Sequence, residues 1–235
     1  MAARGFVTHG KKIVAIGRNY ADHAKELKNK IPTEPFFFLK PTSSYLSGGG
    51  TAGAGAGAGA IEIPRGVIVH HEVELGVIIG DKARDVHASN AMSHVAGYTL
   101  AIDMTARNVQ DKVKAAGLPW STAKGFDTFC PVGSFIPFSD IKDPHNLELY
   151  LKINGQLKQR GPTSDMIFKI PQLIQHVSSI MTLEEGDLIL TGTPAGVGPI
   201  NAGDEVVAGL LQDNVELQTW KGHAIQRQGS YVFST

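Results

Sequence analysis

Short apolar runs separated by Gly, Pro and Asn dominate this chain, and few stretches carry helical periodicity. Ile13-Val14-Ala15-Ile16, ending at Gly17, and Phe36-Phe37-Phe38-Leu39 have the length and residue types of buried strands. Residues 73–79 and 95–103 predict two more. Residues 147–153 and 156–159 flank Asn154-Gly155, a pair that supplies the two positive φ values of a type I′ turn, so this stretch predicts a hairpin. Further strands are expected at 187–191 and 205–210, around a Gly/Pro/Thr loop at 192–198, and again at 215–220. Helical spacing appears three times. Tyr20, Ala24 and Leu27 share one face of a short helix over 20–28, with Asn19 as its N-cap. Val109 and Val113 mark an amphipathic helix over 105–116. Residues 171–181 form a third, with proline in the first turn. Strands outnumber helices and do not alternate with them regularly, which disfavours a doubly wound parallel sheet. The pattern predicts a strand-rich α+β fold, rolled or barrel-like, in one unit over residues 13–235.

Composition narrows the function classes. The chain has 235 residues, 42% of them hydrophobic, enough to bury a core. No window of 18 residues is apolar throughout, so no membrane-spanning helix is expected. Lys plus Arg and Asp plus Glu number 22 each. That balance argues against a sequence-independent nucleic-acid binder, which needs cationic excess. A single cysteine, Cys130, excludes an internal disulfide and a Cys-based zinc cluster. Residues 1–12 carry Arg4, Lys11 and Lys12 with no acid before Asp22, and lack the apolar run of a secretory signal. They are expected to be a flexible terminus. Residues 47–60 are mostly alternating Gly and Ala and are expected to be a mobile loop insertion.

The chemistry concentrates in a few places. In His70-His71-Glu72-Val73-Glu74-Leu75, strand alternation sends His70, Glu72 and Glu74 to one face and Val73 and Leu75 to the other. Two carboxylates one strand repeat apart repel unless a cation lies between them, and a hard divalent ion prefers such oxygen ligands. A solvated polar strand face would give the same pattern. The stretch is not HExxH, so a zinc protease is disfavoured. Asp103 ends an apolar strand, where it serves equally as a ligand or as the cap of the next helix. His23 and Glu26, three apart on a short helix, form either a general-base dyad or a surface pair. Lys124 lies among Ala, Gly and aromatic residues, either partly desolvated or in solvent.

These segments together resemble the fumarylacetoacetate hydrolase superfamily. The resemblance rests on Ile16-Gly17-Arg18-Asn19-Tyr20, Phe38-Leu39-Lys40-Pro41, His70 to Gly76, Asp103-Met104-Thr105-Ala106-Arg107, Gly117-Leu118-Pro119-Trp120 with Ala123-Lys124, and Leu190 to Gly198, in that order. The branch it is most similar to is that of mitochondrial acylpyruvases, oxaloacetate decarboxylases and oxaloacetate tautomerases. The resemblance implies a β-roll of the C-terminal domain type, homodimers and a mitochondrial (matrix) location. It implies a Mg²⁺- or Mn²⁺-dependent enzyme of small 2-oxo acids working through a metal-bound enolate. The reactions implied are oxaloacetate decarboxylation and acylpyruvate hydrolysis. Oxaloacetate enol–keto tautomerisation, or chemistry on hydroxymuconate-like acids, is the alternative. Carried over by position, Glu72, Glu74 and Asp103 would bind the metal. His23, Glu26 and Lys124 would be catalytic, with His23 and Glu26 on a lid helix. Arg18, Arg107, Gln110 and Thr193 would contact substrate.

Overall fold

The computed structural model describes residues 2–26, 30–48 and 60–234. The Gly/Ala run falls almost wholly outside them. Three sheets organise the described chain. The largest runs, edge to edge, Phe36–Lys40, Ile13–Gly17, Leu188–Leu190, Val73–Ile79, Val95–Ile102, Cys130–Val132 and Tyr45–Ser47, with Ile136–Pro137 added against Val95–Ile102. Its pairs are mostly antiparallel, but Ile13–Gly17 lies parallel to Leu188–Leu190. A five-stranded sheet holds Gln156–Pro162, Glu148–Ile153, Glu205–Gln212, Val215–Gln226 and Ala60–Ile63. A small third sheet joins Gly198–Ile200, Val69–His71 and Thr105–Ala106. This is the strand-rich α+β roll that the sequence pattern predicts.

Val73–Ile79 is buried along its whole length because both of its faces are covered. Val73, Leu75, Val77 and Ile79 enter the main core, while Ile78 packs with Ile13, Ala15, Leu188 and Leu190 in a second cluster. Glu74 shares the face of Ile78, as the period of two requires. Pairing in register with Val95–Ile102 (Val73 opposite Ile102) brings the end that carries Glu72 beside Asp103. The Asp103 N–H donates to the Glu72 carbonyl at 2.8 Å, locking the two together. Glu72 itself sits at the break between Val69–His71, in the small sheet, and Val73–Ile79, in the large one. The chain changes sheets there, and the site forms at that junction.

Several expected elements change. The predicted helix over 105–116 begins with a two-residue strand, Thr105–Ala106, and becomes helical only over Arg107–Ala115. The last strand runs from Val215 to Gln226, twice the predicted length, and its end pairs in parallel with Ala60–Ile63. The hairpin turn is as expected, with Asn154 and Gly155 at φ 50° and 77°. Asn19 is not a cap. Its amide donates to the carbonyls of Phe168 and Thr191 and its oxygen accepts from the Phe168 N–H, tying two distant loops together.

Residues 2–9 correct the expectation of a flexible terminus. They form a 3₁₀ turn and a helical turn, with Ala3 and Phe6 buried in the second core cluster. Phe6 meets Tyr45 edge to face at 5.8 Å between ring centres. Buried Asp187 accepts from the N–H groups of Lys11 and Lys12 and pairs with the Lys12 ammonium. Basic composition at a chain start carried no sign of this anchorage. Phe6→Ala is therefore expected to cost about 3–5 kcal/mol, read from chemical denaturation. An unchanged midpoint would mean that the turn lies outside the cooperative fold.

Candidate active site and its acidic triad

Glu72, Glu74 and Asp103 are buried, and each offers an oxygen within 4.8 Å of the others. Their donor set is all carboxylate oxygen, suited to a hard divalent cation such as Mg²⁺ or Mn²⁺ and not to a soft metal. The strand alternation read from the sequence does bring Glu72 and Glu74 together. Asp103 is no helix cap, because two ammonium groups hold its carboxylate.

The surroundings push Glu72 and Glu74 in opposite directions. Lys124 Nζ lies 2.9 Å from Glu72 Oε2 and 2.5 Å from Asp103 Oδ2. Arg107 Nη2 and the Thr105 hydroxyl donate to Glu72 Oε1 at 2.8 and 2.7 Å. Burial opposes ionisation of Glu72, but Lys124 and Arg107 outweigh it and hold this carboxyl well below the usual range. Glu74 is the opposite case. Burial, then the charges of Asp103 and Glu72, push it well above the ordinary value, and the Lys124 charge with the Gly192 N–H at 2.6 Å offsets only part of that. A bound cation would offset this by favouring the ionised form of Glu74. Burial likewise lowers Lys124, yet Asp103 and Glu72 more than reverse it, so this ammonium stays charged. The expectation of a partly desolvated lysine is exceeded, since Lys124 is 1% exposed.

Lys40, in the motif Phe38-Leu39-Lys40-Pro41, belongs to this cluster, although its charge alone gave no sign of it. Its ammonium is fully buried, 2.8 Å from Asp103 Oδ1 and 2.6 Å from the Lys124 carbonyl. It fixes both the third acid and the backbone that carries Lys124. Lys40→Met is expected to lower stability by about 3–5 kcal/mol in EDTA, since one partner of a buried ion pair is lost. A wild-type melting temperature would show that Lys40 merely fills space.

Above the triad the cleft is lined by Ile16, Arg18, His23, Phe38, Arg107, Gln110, Trp120 and Thr193, among others. Arg107 is held from three sides, donating to Glu72, to Gln110 Oε1 at 2.6 Å and to His70 Nδ1 at 3.4 Å. Gln110 thereby keeps its amide N–H donors for a ligand oxygen. His70 faces Arg107 and stands outside the triad. Burial first, then Arg107, pushes it down to about 4, so it is neutral and accepts the bond.

His23 and Glu26 lie on the helix Ala21–Glu26. The imidazole is 5% exposed and lines the cleft, which excludes a plain surface pair. Its Nδ1 is 3.6 Å from Glu26 Oε2, within ion-pair range but longer than a hydrogen bond, and it has no hydrogen-bond partner. Burial lowers the His23 pKa, with Glu72 and Glu26 pulling the other way, so the ring is neutral near pH 7. Glu26 also accepts from the Gly196 N–H at 3.1 and 3.2 Å. The short helix is thus latched to the Gly-rich loop. Gly196 has φ 97°, and a Cβ there would come within 2.1 Å of the Lys158 carbonyl oxygen, so only glycine permits this latch.

Gln159 is a second residue that the sequence did not mark. Its Oε1 accepts from the Val73 N–H and the His71 ring, and its amide donates to the Thr193 hydroxyl and the Pro194 carbonyl. One buried amide therefore joins the loop at 192–198 to the strand bearing Glu74. The Thr193 hydroxyl spends its proton on the Val73 carbonyl at 2.7 Å. Cys130 is buried and its thiol is pushed up to about 12, chiefly by burial, which leaves it inert.

A β-roll with a buried acidic triad, a buried lysine against it and a cleft-lining histidine on a short helix defines the class. Residues 12–223 match the fumarylacetoacetate (FAA) hydrolase C-terminal domain, and the chain belongs to that family. It is an enzyme of this family and is similar to several named members. It is 57% identical over 210 residues to "Oxaloacetate decarboxylase, mitochondrial" of Dictyostelium discoideum, covering 89% of this chain and 93% of that protein. It is 57% identical over 202 residues to "Oxaloacetate tautomerase FAHD1, mitochondrial" of Arabidopsis thaliana, covering 86% of each. The Homo sapiens protein of that name is 51% identical over 201 residues, covering 86% of this chain and 87% of the relative. The mitochondrial location expected from the resemblance agrees with these relatives. Among solved structures, a yeast fumarylacetoacetate hydrolase family protein superposes with a TM-score of 0.86 at 40% identity, over 99% of this chain and 100% of that one. Fumarylpyruvate hydrolase from Pseudomonas aeruginosa, in complex with Mn²⁺ and pyruvate, gives 0.81 at 30% identity over 92% and 90%.

Proposed function

We propose that the chain turns over oxaloacetate, with Mg²⁺ or Mn²⁺ held by Glu72, Glu74 and Asp103. The observation that carries this reading is the buried triad of carboxylates faced by a charged lysine, with a neutral histidine in the same cleft. When bound, the divalent cation would polarise the 2-oxo group and favour negative charge on its oxygen. The chain's own residues would supply the rest. Lys124 keeps one ammonium donor beyond its two carboxylates and would aim it at the same developing charge. The Gln110 amide and Arg107 would orient the carboxylate next to the ketone. Thr193 would contribute to this through its backbone N–H, because its hydroxyl proton is already committed. His23 would exchange the mobile proton through Nε2, while its buried Nδ1 faces Glu26, which would steady the imidazolium. Moving that proton between C3 and the enol oxygen is tautomerisation. Loss of the C4 carboxylate as CO₂, followed by proton delivery to C3, is decarboxylation to pyruvate. The two share one charge pattern, so one site supports both, and the names of the plant and human relatives favour the first.

Acylpyruvate hydrolysis is a second reading, favoured by the fumarylpyruvate hydrolase among the structural relatives. There His23 would take a proton from water attacking the distal carbonyl, and pyruvate would leave after C3–C4 cleavage. The test follows enol absorbance and pyruvate together in oxaloacetate solutions containing Mg²⁺, less the metal-only blanks. Faster enol decay without pyruvate assigns tautomerisation, and matched pyruvate assigns decarboxylation. No acceleration of either would overturn oxaloacetate as substrate.

A further inference from the structure

The helix Arg107–Ala115 presents three cleft-lining residues, Arg107, Gln110 and Lys114, at spacings of three and four. The first two are engaged at the triad. Lys114, seven residues on, stands about 10 Å farther along the helix axis than Arg107. The same cleft is lined by Arg18, which follows the strand Ile13–Gly17. Arg18 is held at φ 56°, a conformation uncommon outside glycine, and its guanidinium lies over the Phe36 ring at 5.5 Å.

The cations of this cleft fall into two groups. Lys40, Lys124 and Arg107 each contact a carboxylate of the triad. Arg18 and Lys114 have no carboxylate within ion-pair distance among the described residues. A lysine in a helix's last turn is ordinary by itself, since it complements the helix dipole. Lys114 differs in lining the cleft together with a second cation that has no acid partner. The unneutralised charge of Lys114 lies about 10 Å along the helix from Arg107, toward where the far end of a bound 2-oxo acid would point.

We propose that Lys114, with Arg18, recognises a second carboxylate at the distal end of the substrate and so selects 2-oxo dicarboxylates over uncharged acyl analogues. This inference rests on the 2-oxo acid reading above and deepens it. Oxaloacetate and acetylpyruvate make a suitable pair, because the second replaces the distal carboxylate with an uncharged acetyl group of similar size. Lys114 is exposed, so its replacement leaves the core intact.

The experiment measures kcat/KM for both compounds, with Mg²⁺, in wild type, Lys114→Gln, Lys114→Glu and Lys114→Arg. The ratio of oxaloacetate to acetylpyruvate is expected to fall about two- to fivefold in Lys114→Gln, as for one exposed charge pair. It should fall further in Lys114→Glu, be largely kept in Lys114→Arg, and change through KM more than kcat. A ratio equal to wild type in the Gln and Glu variants would overturn the proposal, and so would equal losses on both compounds. Binding of the same two compounds is read in parallel from thermal shifts in Mg²⁺. A wild-type enzyme that turns over neither would sink the functional reading, while the ratio of dissociation constants would still decide the role of Lys114.

Discussion

Glu72→Ala is expected to remove metal-dependent turnover altogether. The surroundings of Glu72 favour its ionised form, through Lys124, Arg107 and Thr105. Its loss takes away a negative ligand and leaves Lys40 and Lys124 facing Asp103, with Arg107 deprived of its carboxylate partner. Binding to the folded state raises stability by about 2.7 kcal/mol at a hundredfold excess over Kd. Wild type should therefore melt higher in saturating Mg²⁺ than in EDTA, and the variant should not. Oxaloacetate turnover in the variant should match the metal-only blank. Circular dichroism checks that the variant folds, and Glu72→Gln, which keeps the side-chain volume, should behave alike. A variant that retains both the Mg²⁺ shift and turnover would remove Glu72 from the site.

The second large effect concerns His23. His23→Ala is expected to reduce acylpyruvate hydrolysis by about 10²–10⁴-fold, the usual contribution of a positioned base. Oxaloacetate tautomerisation should suffer less, because it needs no attack by water. Equal losses would mean that His23 is as indispensable for moving the proton between C3 and the enol oxygen as for activating water. The pH profile has a definite sign. A base works when neutral, and burial places the His23 pKa below the ordinary imidazole value of 6.5. Wild-type activity should thus stay level from neutral pH down to that lowered pKa and fall once the ring protonates. The alanine variant should lack this acid limb, and an acid limb above pH 6.5 in wild type would contradict the buried, neutral ring.

Legibility in the sequence followed the range of each interaction. Glu72 and Glu74 were readable because strand alternation is local and periodic, so two acids a repeat apart must share a face. Asp103 was readable only as one of two options, since choosing between cap and ligand required knowing that Val73 pairs with Ile102. The His23–Glu26 spacing was visible, but its burial depends on the Gly196 latch, 170 residues away in sequence. Lys40 and Gln159 carried no local signal. A lysine after three phenylalanines and a glutamine in a polar hairpin look like surface residues, and only long-range packing buries them against Asp103 and Thr193. The ordered motifs carried the family, and hence the β-roll, further than propensity did. The same limit explains residues 2–12, whose anchorage comes from Tyr45 against Phe6 and Asp187 against Lys11 and Lys12.

The most direct test of the acidic triad as the seat of catalysis is pyruvate release from oxaloacetate and from acetylpyruvate, in Mg²⁺ and in EDTA, with uncatalysed and metal-only decay subtracted. Enol absorbance of oxaloacetate is recorded in the same samples. The expected result is enzyme-dependent change in at least one of these signals with Mg²⁺, abolished by EDTA and restored by added Mg²⁺. Equal enzyme-dependent rates in Mg²⁺ and EDTA, with the metal confirmed absent, would contradict a cation-dependent site built on Glu72, Glu74 and Asp103.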